Sequence, residues 1–326
     1  MLQMSEYLNE CLKKLDKQER KIVELFDQEV AEQFFVETVT DINLNSNGTV
    51  FVTDAIKGKF KVKSFKGSLT PIINFIADFN DLVVNQQAPK LETSFLGMRI
   101  TGIIPPNTDA AILAIRKPNE KIKPLHSYVT DLSMTENQFN YIHEKWIESD
   151  DPINALIAGG TGSGKTTLMK SIINELTSKG DFADRIVSIE DTPELVINVE
   201  DKVPLFKTSS VSLANNLESA LRLTPKRIFV GEVRDYTVID MLNCFNTGHN
   251  GGLATIHANN CKDTIQRIIS LGAKHFDLDE LYILIATTVG AIISIQKRGD
   301  KRIIDEILEI QGYDRSKKEI IFKSIK

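Results

Sequence analysis

The sequence predicts an α/β protein of two domains, in which a small α+β domain precedes a larger domain built on a mostly parallel sheet. The length of 326 residues exceeds what a single hydrophobic core usually supports. After residue 133, short apolar runs alternate with longer amphipathic runs, which is typical of strands joined by helices. A glycine-rich segment at residues 159–164 separates the first such strand from the first helix.

Composition places the chain among ordinary soluble globular proteins. Hydrophobic residues make up 42% and charged residues 25%, which excludes disordered, fibrous and membrane classes. The net charge of -5 provides no overall basic field, so direct sequence-specific binding of nucleic acid is not expected. Cys11, Cys244 and Cys261 are odd in number and have no CxxC spacing, which argues against a disulfide framework and a zinc site. A cytoplasmic location is therefore expected.

The N-terminal domain is predicted to span residues 1–120. Residues 1–20 have the pattern of an amphipathic helix and lack the apolar core of a signal peptide. Short alternating segments such as TVFVTDAI and KFKVKSF follow, separated by Asn-Gly and Lys-Gly turns. The last strand, AAILAIRKP, ends at Pro118, and the aperiodic stretch 121–132 is the predicted linker.

The second domain is predicted to span residues 133–326. Ser133 and Glu136 form a capping-box pattern at the start of a helix. The predicted strands are INALIA, RIVSIE, RIFVGE and LATIH, and the helices between them cover residues 165–179, 213–223 and 235–246. The apolar run at 281–296 is too short to cross a bilayer and predicts a buried helix that passes into a strand.

Residues 159–166, GGTGSGKT, match the phosphate-binding pattern G-x-x-x-x-G-K-[ST] between a strand and a helix. Glycines let successive backbone N–H groups converge on phosphate oxygens at the N-terminus of the helix. Lys165 is expected to contact the β- and γ-phosphates, Thr166 to bind Mg²⁺, and Thr167 to contact phosphate. The predicted ligands are ATP and Mg²⁺, and the predicted cofactor-binding residues are Gly160, Thr161, Gly162, Ser163, Gly164, Lys165, Thr166 and Thr167. The alternative is a glycine-rich turn with a surface lysine.

Three further strands end in residues suited to phosphate chemistry. RIVSI ends at Glu190 and Asp191, RIFVG at Glu232, and LATI at His257. Because ligands bind beyond the carboxyl ends of strands in open α/β sheets, these side chains are expected on one rim. Glu190 and Glu232 are candidates to hold Mg²⁺, directly or through water, or to polarise the attacking water, and the pattern leaves open which does which. A helix cap or a solvated loop acid is the alternative for each.

Histidine and arginine side chains complete the candidate site. His257 is suited to sense the γ-phosphate, although a structural role is the alternative, and both roles stay open for His249. Arg234 is the preferred catalytic arginine because it follows Glu232 by two residues.

The order GGTGSGKTT, SIEDTPEL, RIFVGEVRD and NTGHNGGLATIHANN resembles the secretion ATPase superfamily, with its Walker A, Asp, Walker B and His boxes. The segment TGHNGGLATIHANN and the tail RGDKRIIDEILEIQGYD resemble the type IV secretion and conjugation branch. Resemblance extends into the first domain through VTDINLNSNGTVFV, GMRITGIIPP and ILAIRKP. The first 35 residues match nothing in that pattern.

The resemblance implies a homo-hexameric ring whose PAS-like N-terminal domain and RecA-like C-terminal domain enclose the nucleotide. It assigns Glu190 to the Asp box, Glu232 to Walker B and His257 to the His box, and it brings Arg99 and Arg116 to the phosphates. Walker B here ends in Gly-Glu without the usual aspartate, which leaves metal binding to Thr166 and the glutamates.

The expected function is therefore that of a Mg-ATPase motor that energises a type IV secretion or conjugation system. The motor would lie peripherally on the inner membrane, held by components of that machinery. The alternatives are a type IV pilus or type II secretion motor, a nucleotide-gated scaffold with incidental turnover, and a helicase. The transported cargo stays open between DNA, protein and pilin.

Overall fold

The computed structural model describes residues 5–62, 64–117, 122–180, 182–208, 210–299 and 301–326. The chain divides into two compact units, Met1–Asn119 and Glu120–Lys326. The predicted domain end at residue 120 and the predicted linker start at residue 121 lie outside the described residues.

The first unit is a six-stranded antiparallel sheet with four helices. Its elements are α1 (Glu6–Lys13), α2 (Lys17–Val23), α3 (Gln28–Gln33), β1 (Val39–Leu44), β2 (Val50–Asp54), β3 (Gly58–Val62), α4 (Leu69–Phe79), β4 (Lys90–Phe95), β5 (Met98–Ile103) and β6 (Ile112–Arg116). The strand order is β3-β2-β1-β6-β5-β4, and every neighbouring pair is antiparallel. Gly48 and Gly58, at the predicted turns, both have a positive φ, as tight turns require.

The N-terminal segment forms two helices where the sequence predicts one. Asp16 interrupts the helical pattern because its carboxylate accepts hydrogen bonds from the backbone N–H groups of Gln18 and Glu19 and so caps α2. Leu8 and Leu12 of α1 are buried in the core of the unit. Both helices thus belong to the first unit.

The second unit is an eight-stranded sheet with helices on both faces. Its elements are α5 (Ser127–Thr130), α6 (Glu136–Ile142), a π-helical turn (His143–Ile147), β7 (Ala155–Ala158), α7 (Lys165–Thr177), β8 (Ile186–Glu190), β9 (Lys202–Phe206), α8 (Leu213–Leu221), β10 (Arg227–Val233), α9 (Thr237–Phe245), β11 (Leu253–Ile256), α10 (Cys261–Gly272), α11 (Leu278–Thr288), β12 (Ala291–Arg298), β13 (Lys301–Asp314) and β14 (Glu319–Ile325).

The strand order β14-β13-β12-β7-β11-β10-β8-β9 makes the sheet mostly parallel, as predicted. Six neighbouring strands run parallel to one another, in the order β12, β7, β11, β10, β8 and β9. At the other edge of the sheet, β13 and β14 pair antiparallel. Strands β9, β13 and β14 are additions to the strands that the sequence pattern predicts. Because β7, β11, β10 and β8 are adjacent and parallel, their carboxyl ends lie at the same edge of the sheet, as predicted.

Both faces of the sheet are buried at its central strands. Alternate residues of β7, for example, enter two different cores: Leu156 and Ala158 pack on one face, Ala155 and Ile157 on the other. Helices cover both faces of a parallel sheet, so its strands become continuous apolar runs instead of alternating ones. This packing explains why the central strands β7, β8, β10 and β11 are easily recognised in the sequence.

One prediction about the start of the second unit, the helix cap at Ser133, is wrong. Residues 122–132, within the predicted linker, contain α5, and Leu125 and Tyr128 are buried in the core of the second unit. Ser133 is not the helix cap; Thr135 is, in a capping box with Gln138. The helix thus begins with a capping box, as predicted, but two residues later in the chain.

The apolar run at 281–296 is a helix that passes into a strand, as predicted. It covers most of α11 and the first six residues of β12. Across the described residues, no helix has both the length and the apolarity that a membrane crossing requires.

Candidate functional site

The phosphate loop occupies residues 159–164 between β7 and α7. Gly162 and Gly164 have φ values of 71° and 99°, a left-handed conformation that favours glycine. A Cβ atom on Gly159 would lie 2.4 Å from the carbonyl oxygen of Ile295 and 2.4 Å from Oγ of Ser163. The loop therefore requires its glycines for both conformation and space, and it ends at the N-terminus of a 13-residue helix.

Lys165 is the first residue of α7 and folds back onto the loop. Its Nζ donates to the carbonyl oxygens of Gly159 and Gly160, at 2.9 and 3.1 Å. Burial lowers the pKa of Lys165, the negative charge of Glu232 opposes this effect, and the positive charge of Arg234 adds to it. The ammonium thus lies within electrostatic reach of Glu232 on β10 and of Arg234, which follows that strand.

Glu232, near the end of β10, is the centre of a charged cluster. Its Oε1 lies 2.6 Å from Nε2 of His257, and its Oε2 accepts hydrogen bonds from Arg234, with Nε at 2.7 Å and Nη2 at 2.5 Å. Arg234 also reaches Asp191, whose Oδ2 lies 3.5 Å from Nη1. The structure therefore brings together four predicted residues from three strand ends: Asp191, Glu232, Arg234 and His257.

The surroundings of His257 favour the neutral form of its imidazole ring. Burial lowers the pKa of His257, and the positive charges of Lys165 and Arg234 lower it further against the opposing effect of Glu232. A neutral imidazole has one N–H donor, which at Nε2 points to the Glu232 carboxylate. His257 is thus suited to orient that carboxylate.

Glu190 has a different environment from Glu232. It is 3% exposed at the end of β8, and its Oε2 accepts hydrogen bonds from the backbone N–H groups of Glu194 and Leu195, both at 2.8 Å. Burial raises the pKa of Glu190 to about 7, although the two backbone hydrogen bonds oppose that shift. The side chain holds the loop that follows β8.

Gly231 occupies the place of the usual Walker B aspartate, and the packing around it explains the glycine. A Cβ atom there would lie 3.2 Å from Cγ of Glu190, and the Gly231 carbonyl oxygen accepts a hydrogen bond from Oγ1 of Thr255 at 2.6 Å. Glycine thus lets the buried glutamate of the neighbouring strand lie against β10.

The donor set fits Mg²⁺ bound together with a nucleotide. In the described part of the chain, no three histidine, cysteine, aspartate or glutamate side chains form a metal-binding group. Mg²⁺ usually keeps several waters and takes one or two protein oxygens in addition to phosphate oxygens. Thr166, in the first turn of α7, and Glu232 are oxygen donors of that kind.

Arg99 and Arg116 lie side by side in the first unit. They are directly opposite each other on β5 and β6, and Asp41 on β1 is opposite Arg116 on its other side. Two like charges opposite each other across strands are unfavourable without a compensating negative charge. The pair is thus a cationic feature of the first unit that one carboxylate only partly balances.

The candidate His249 and two arginines close to β10 in the sequence lie elsewhere. His249 precedes β11, at the opposite end of that strand from His257. Arg222 pairs with Glu218 in α8, at 2.6 Å, while Arg227 begins β10 and pairs with Asp184 at 2.7 Å. These three residues do not join the cluster around Glu232.

One residue at the phosphate loop has no counterpart in the sequence prediction. Nε of Arg302, at the start of β13, donates to the carbonyl oxygen of Gly162 at 3.3 Å. The two residues are 140 positions apart. No local pattern links them, and the contact depends on the pairing of β13 with β12.

The family model described as "Type II/IV secretion system protein" matches residues 89–302. The chain belongs to this family. A conjugal transfer protein TrbB from Rhizobium radiobacter is 35% identical over 283 residues, which is 85% of each chain. A probable TrbB from Sinorhizobium fredii is 31% identical over 92% of each chain, and a VirB11 type IV secretion protein from Bartonella henselae is 27% identical over 314 residues, 80% of this chain and 86% of that one. The family member described here thus groups with the conjugation and type IV secretion branch.

Solved structures show the same two-domain secretion ATPase fold. The ATPase DotB of Legionella pneumophila superposes with a TM-score of 0.60 at 21% identity, covering 87% of this chain and 80% of DotB. The pilus retraction motor PilT, solved with bound ADP, gives a TM-score of 0.58 at 23% identity, covering 89% of this chain and 81% of PilT. The predicted α/β fold is therefore confirmed.

Proposed function

We propose that this protein is a Mg-ATP-hydrolysing motor of a type IV secretion or conjugation system. The observation that carries the proposal is the position of Glu232, which is held by His257 and Arg234 within electrostatic reach of Lys165 on the phosphate loop. A phosphate-binding loop alone supports nucleotide binding. A carboxylate held at the same rim supports hydrolysis.

The loop and Lys165 bind and orient the phosphates. Backbone N–H groups of the loop and the N-terminus of α7 attract the anion, and the Lys165 ammonium turns from the two loop carbonyls to the β- and γ-phosphates. Thr166 and Glu232 would hold Mg²⁺, directly or through water. Mg²⁺ when bound neutralises phosphate charge.

Glu232 is the proposed general base. Its carboxylate accepts the proton of the attacking water, while the neutral His257 fixes one oxygen and Arg234 the other. Arg234, 54% exposed, can leave Glu232 to stabilise charge on the transferred phosphoryl group. Glu190 supports the site indirectly because its carboxylate holds the loop that carries Asp191.

Arg99 and Arg116 are proposed to supply further positive charge to the phosphates in an assembled homo-hexamer. Their side-by-side position on β5 and β6 is favourable once an anion lies between them. Conjugal transfer and type IV secretion relatives suggest that the hexamer docks on inner-membrane components of such a machine, as a peripheral cytoplasmic assembly.

Two substitutions test this function. Lys165→Ala is expected to abolish ATP binding, measured by titration calorimetry, because the loop loses its cation. Glu232→Gln is expected to bind ATP normally and to lose roughly 10²-fold or more in phosphate release, since general bases contribute that much. Glu218→Gln, on the exposed face of α8, is the control and should behave as wild type.

Unchanged turnover in Glu232→Gln would remove this residue from catalysis. A variant that binds but does not hydrolyse ATP and still supports transfer would favour a nucleotide-gated scaffold. Light scattering with and without Mg-ATP tests the ring, and a protein that stays monomeric under every condition would contradict the motor.

A further inference from the structure

The start of β13 returns to the phosphate loop from far along the sequence. β13 runs antiparallel to β12, and β12 runs parallel to β7, the strand that leads into the loop. The first residues of β13 therefore lie at the carboxyl edge of the sheet, with Arg302 opposite Lys297 of β12. This edge is the one at which the nucleotide is proposed to bind.

The Arg302 side chain crosses directly over the glycines of the loop. Its Nε donates to the Gly162 carbonyl oxygen at 3.3 Å, and its Cδ would lie 2.8 Å from a Cβ atom on Gly164. The positive charge of Arg302 also reaches Tyr128, where it opposes the rise in pKa that burial causes. Gly164 thus provides space for the arginine as well as the left-handed turn.

Most hydrogen-bond donors of Arg302 remain available. A guanidinium has five N–H donors in a planar fork that matches phosphate oxygens, and only the Nε donor has a hydrogen-bond partner among the described residues. Within the described residues, Arg302 makes no ion pair with an acidic side chain. Arg298, on the other strand of the same hairpin, by contrast, pairs with Asp305.

We propose that Arg302 is a second nucleotide-binding cation, which contacts the phosphates shared by ADP and ATP. The loop residues that it covers belong to the segment whose backbone N–H groups cradle the α- and β-phosphates. The acidic cluster with Glu232 serves the transferred phosphoryl group instead, so Arg302 acts on nucleotide affinity and not on the chemical step. This inference rests on the proposed ATP binding.

The experiment compares Arg302→Ala, Arg302→Lys and the control Arg298→Ala in the full-length protein. ADP and ATP affinities are measured by calorimetry at two salt concentrations. Arg302→Ala should weaken both nucleotides about tenfold, which corresponds to 1.4 kcal/mol, with kcat unchanged and KM raised. Arg302→Lys should recover part of the affinity because it keeps the charge, and Arg298→Ala should bind as wild type.

Two further readouts separate a phosphate contact from simple support of the loop. In Arg302→Ala the salt dependence of ADP affinity should become shallower, because one screened charge pair is lost. The ³¹P resonances of bound ADP should also shift. Weaker binding with an unchanged salt dependence and unchanged ³¹P resonances would show loop support only and overturn the inference.

Wild-type ADP and ATP affinity in Arg302→Ala would also overturn it, with the proposed ATPase intact. Failure of the wild-type protein itself to bind ADP or ATP would instead contradict the proposed function, on which the inference depends. The circular dichroism of each variant shows whether it is folded, and the exposed position of Arg302 predicts no change.

Discussion

Replacing Glu190 with glutamine isolates the energetic effect of one buried carboxyl group. The side chain is 3% exposed, and its Oε2 accepts two backbone hydrogen bonds at 2.8 Å. A glutamine carbonyl oxygen has two lone pairs and keeps both acceptor roles. The substitution therefore removes the titration while preserving the contacts with the loop after β8.

The size of the effect follows from the pKa, which burial raises from 4.5 to about 7. A group whose pKa is raised in the folded state contributes stability that is present below the unfolded pKa and lost as pH rises through the folded pKa. The loss in the free energy of unfolding grows as the pH rises from the unfolded pKa to the folded pKa, and it reaches roughly 3 kcal/mol above pH 7. This magnitude follows because each tenfold change in an acid dissociation constant corresponds to about 1.36 kcal/mol. Glu190→Gln should not show this loss.

The assay is urea denaturation of wild type and Glu190→Gln at pH 5 and pH 8, in the absence of nucleotide. The stability difference between the two proteins should change by roughly 2 to 3 kcal/mol from pH 5 to pH 8, in favour of the variant at high pH. Glu200→Gln, at an exposed position, is the control. Parallel pH profiles for wild type and Glu190→Gln would refute the reasoning.

Three further predictions concern separate parts of the second unit. Asn154→Ala should lower the free energy of unfolding by about 1 to 3 kcal/mol in urea, because the buried Gly252 N–H loses the acceptor Oδ1 at 2.7 Å; unchanged stability would contradict this. Gly159→Ala should abolish ADP binding in calorimetry, since its Cβ has no space in the loop. Arg234→Ala should lower kcat by roughly 10²-fold with a smaller change in KM, because Glu232 loses its partner, and a pure KM effect would exclude that role.

The features predicted well from the sequence are those encoded locally. The phosphate loop is specified within eight residues, and the central strands of the second unit are continuous apolar runs because both of their faces are buried. The ends of β8, β10 and β11 carry the predicted acids and histidine, since a strand end is visible where the apolar run stops.

The features that escaped prediction depend on tertiary pairing or on competing local signals. Arg302 reaches the loop only through the hairpin of β12 and β13, which no spacing rule links to residue 162. Thr135 competes with Ser133, which has a similar cap propensity, and Asp16 caps α2 within a stretch whose helical pattern continues past it. Side-chain hydrogen bonding therefore decides both helix starts. The different surroundings of Glu190 and Glu232 arise from burial, which a strand pattern does not reveal.

The order of strands in the sheet has a consequence for biosynthesis. Ala155 of β7 pairs with Leu253 of β11 and Ala291 of β12, which are made 98 and 136 residues later. At about 5 to 20 residues per second, a ribosome needs roughly 7 to 27 seconds to supply the second neighbour. During that time β7 is an apolar strand without its final partners, which makes such intermediates prone to aggregation. Because the phosphate-loop strand lies between partners that are synthesised much later, we expect the chain to depend on chaperones during synthesis.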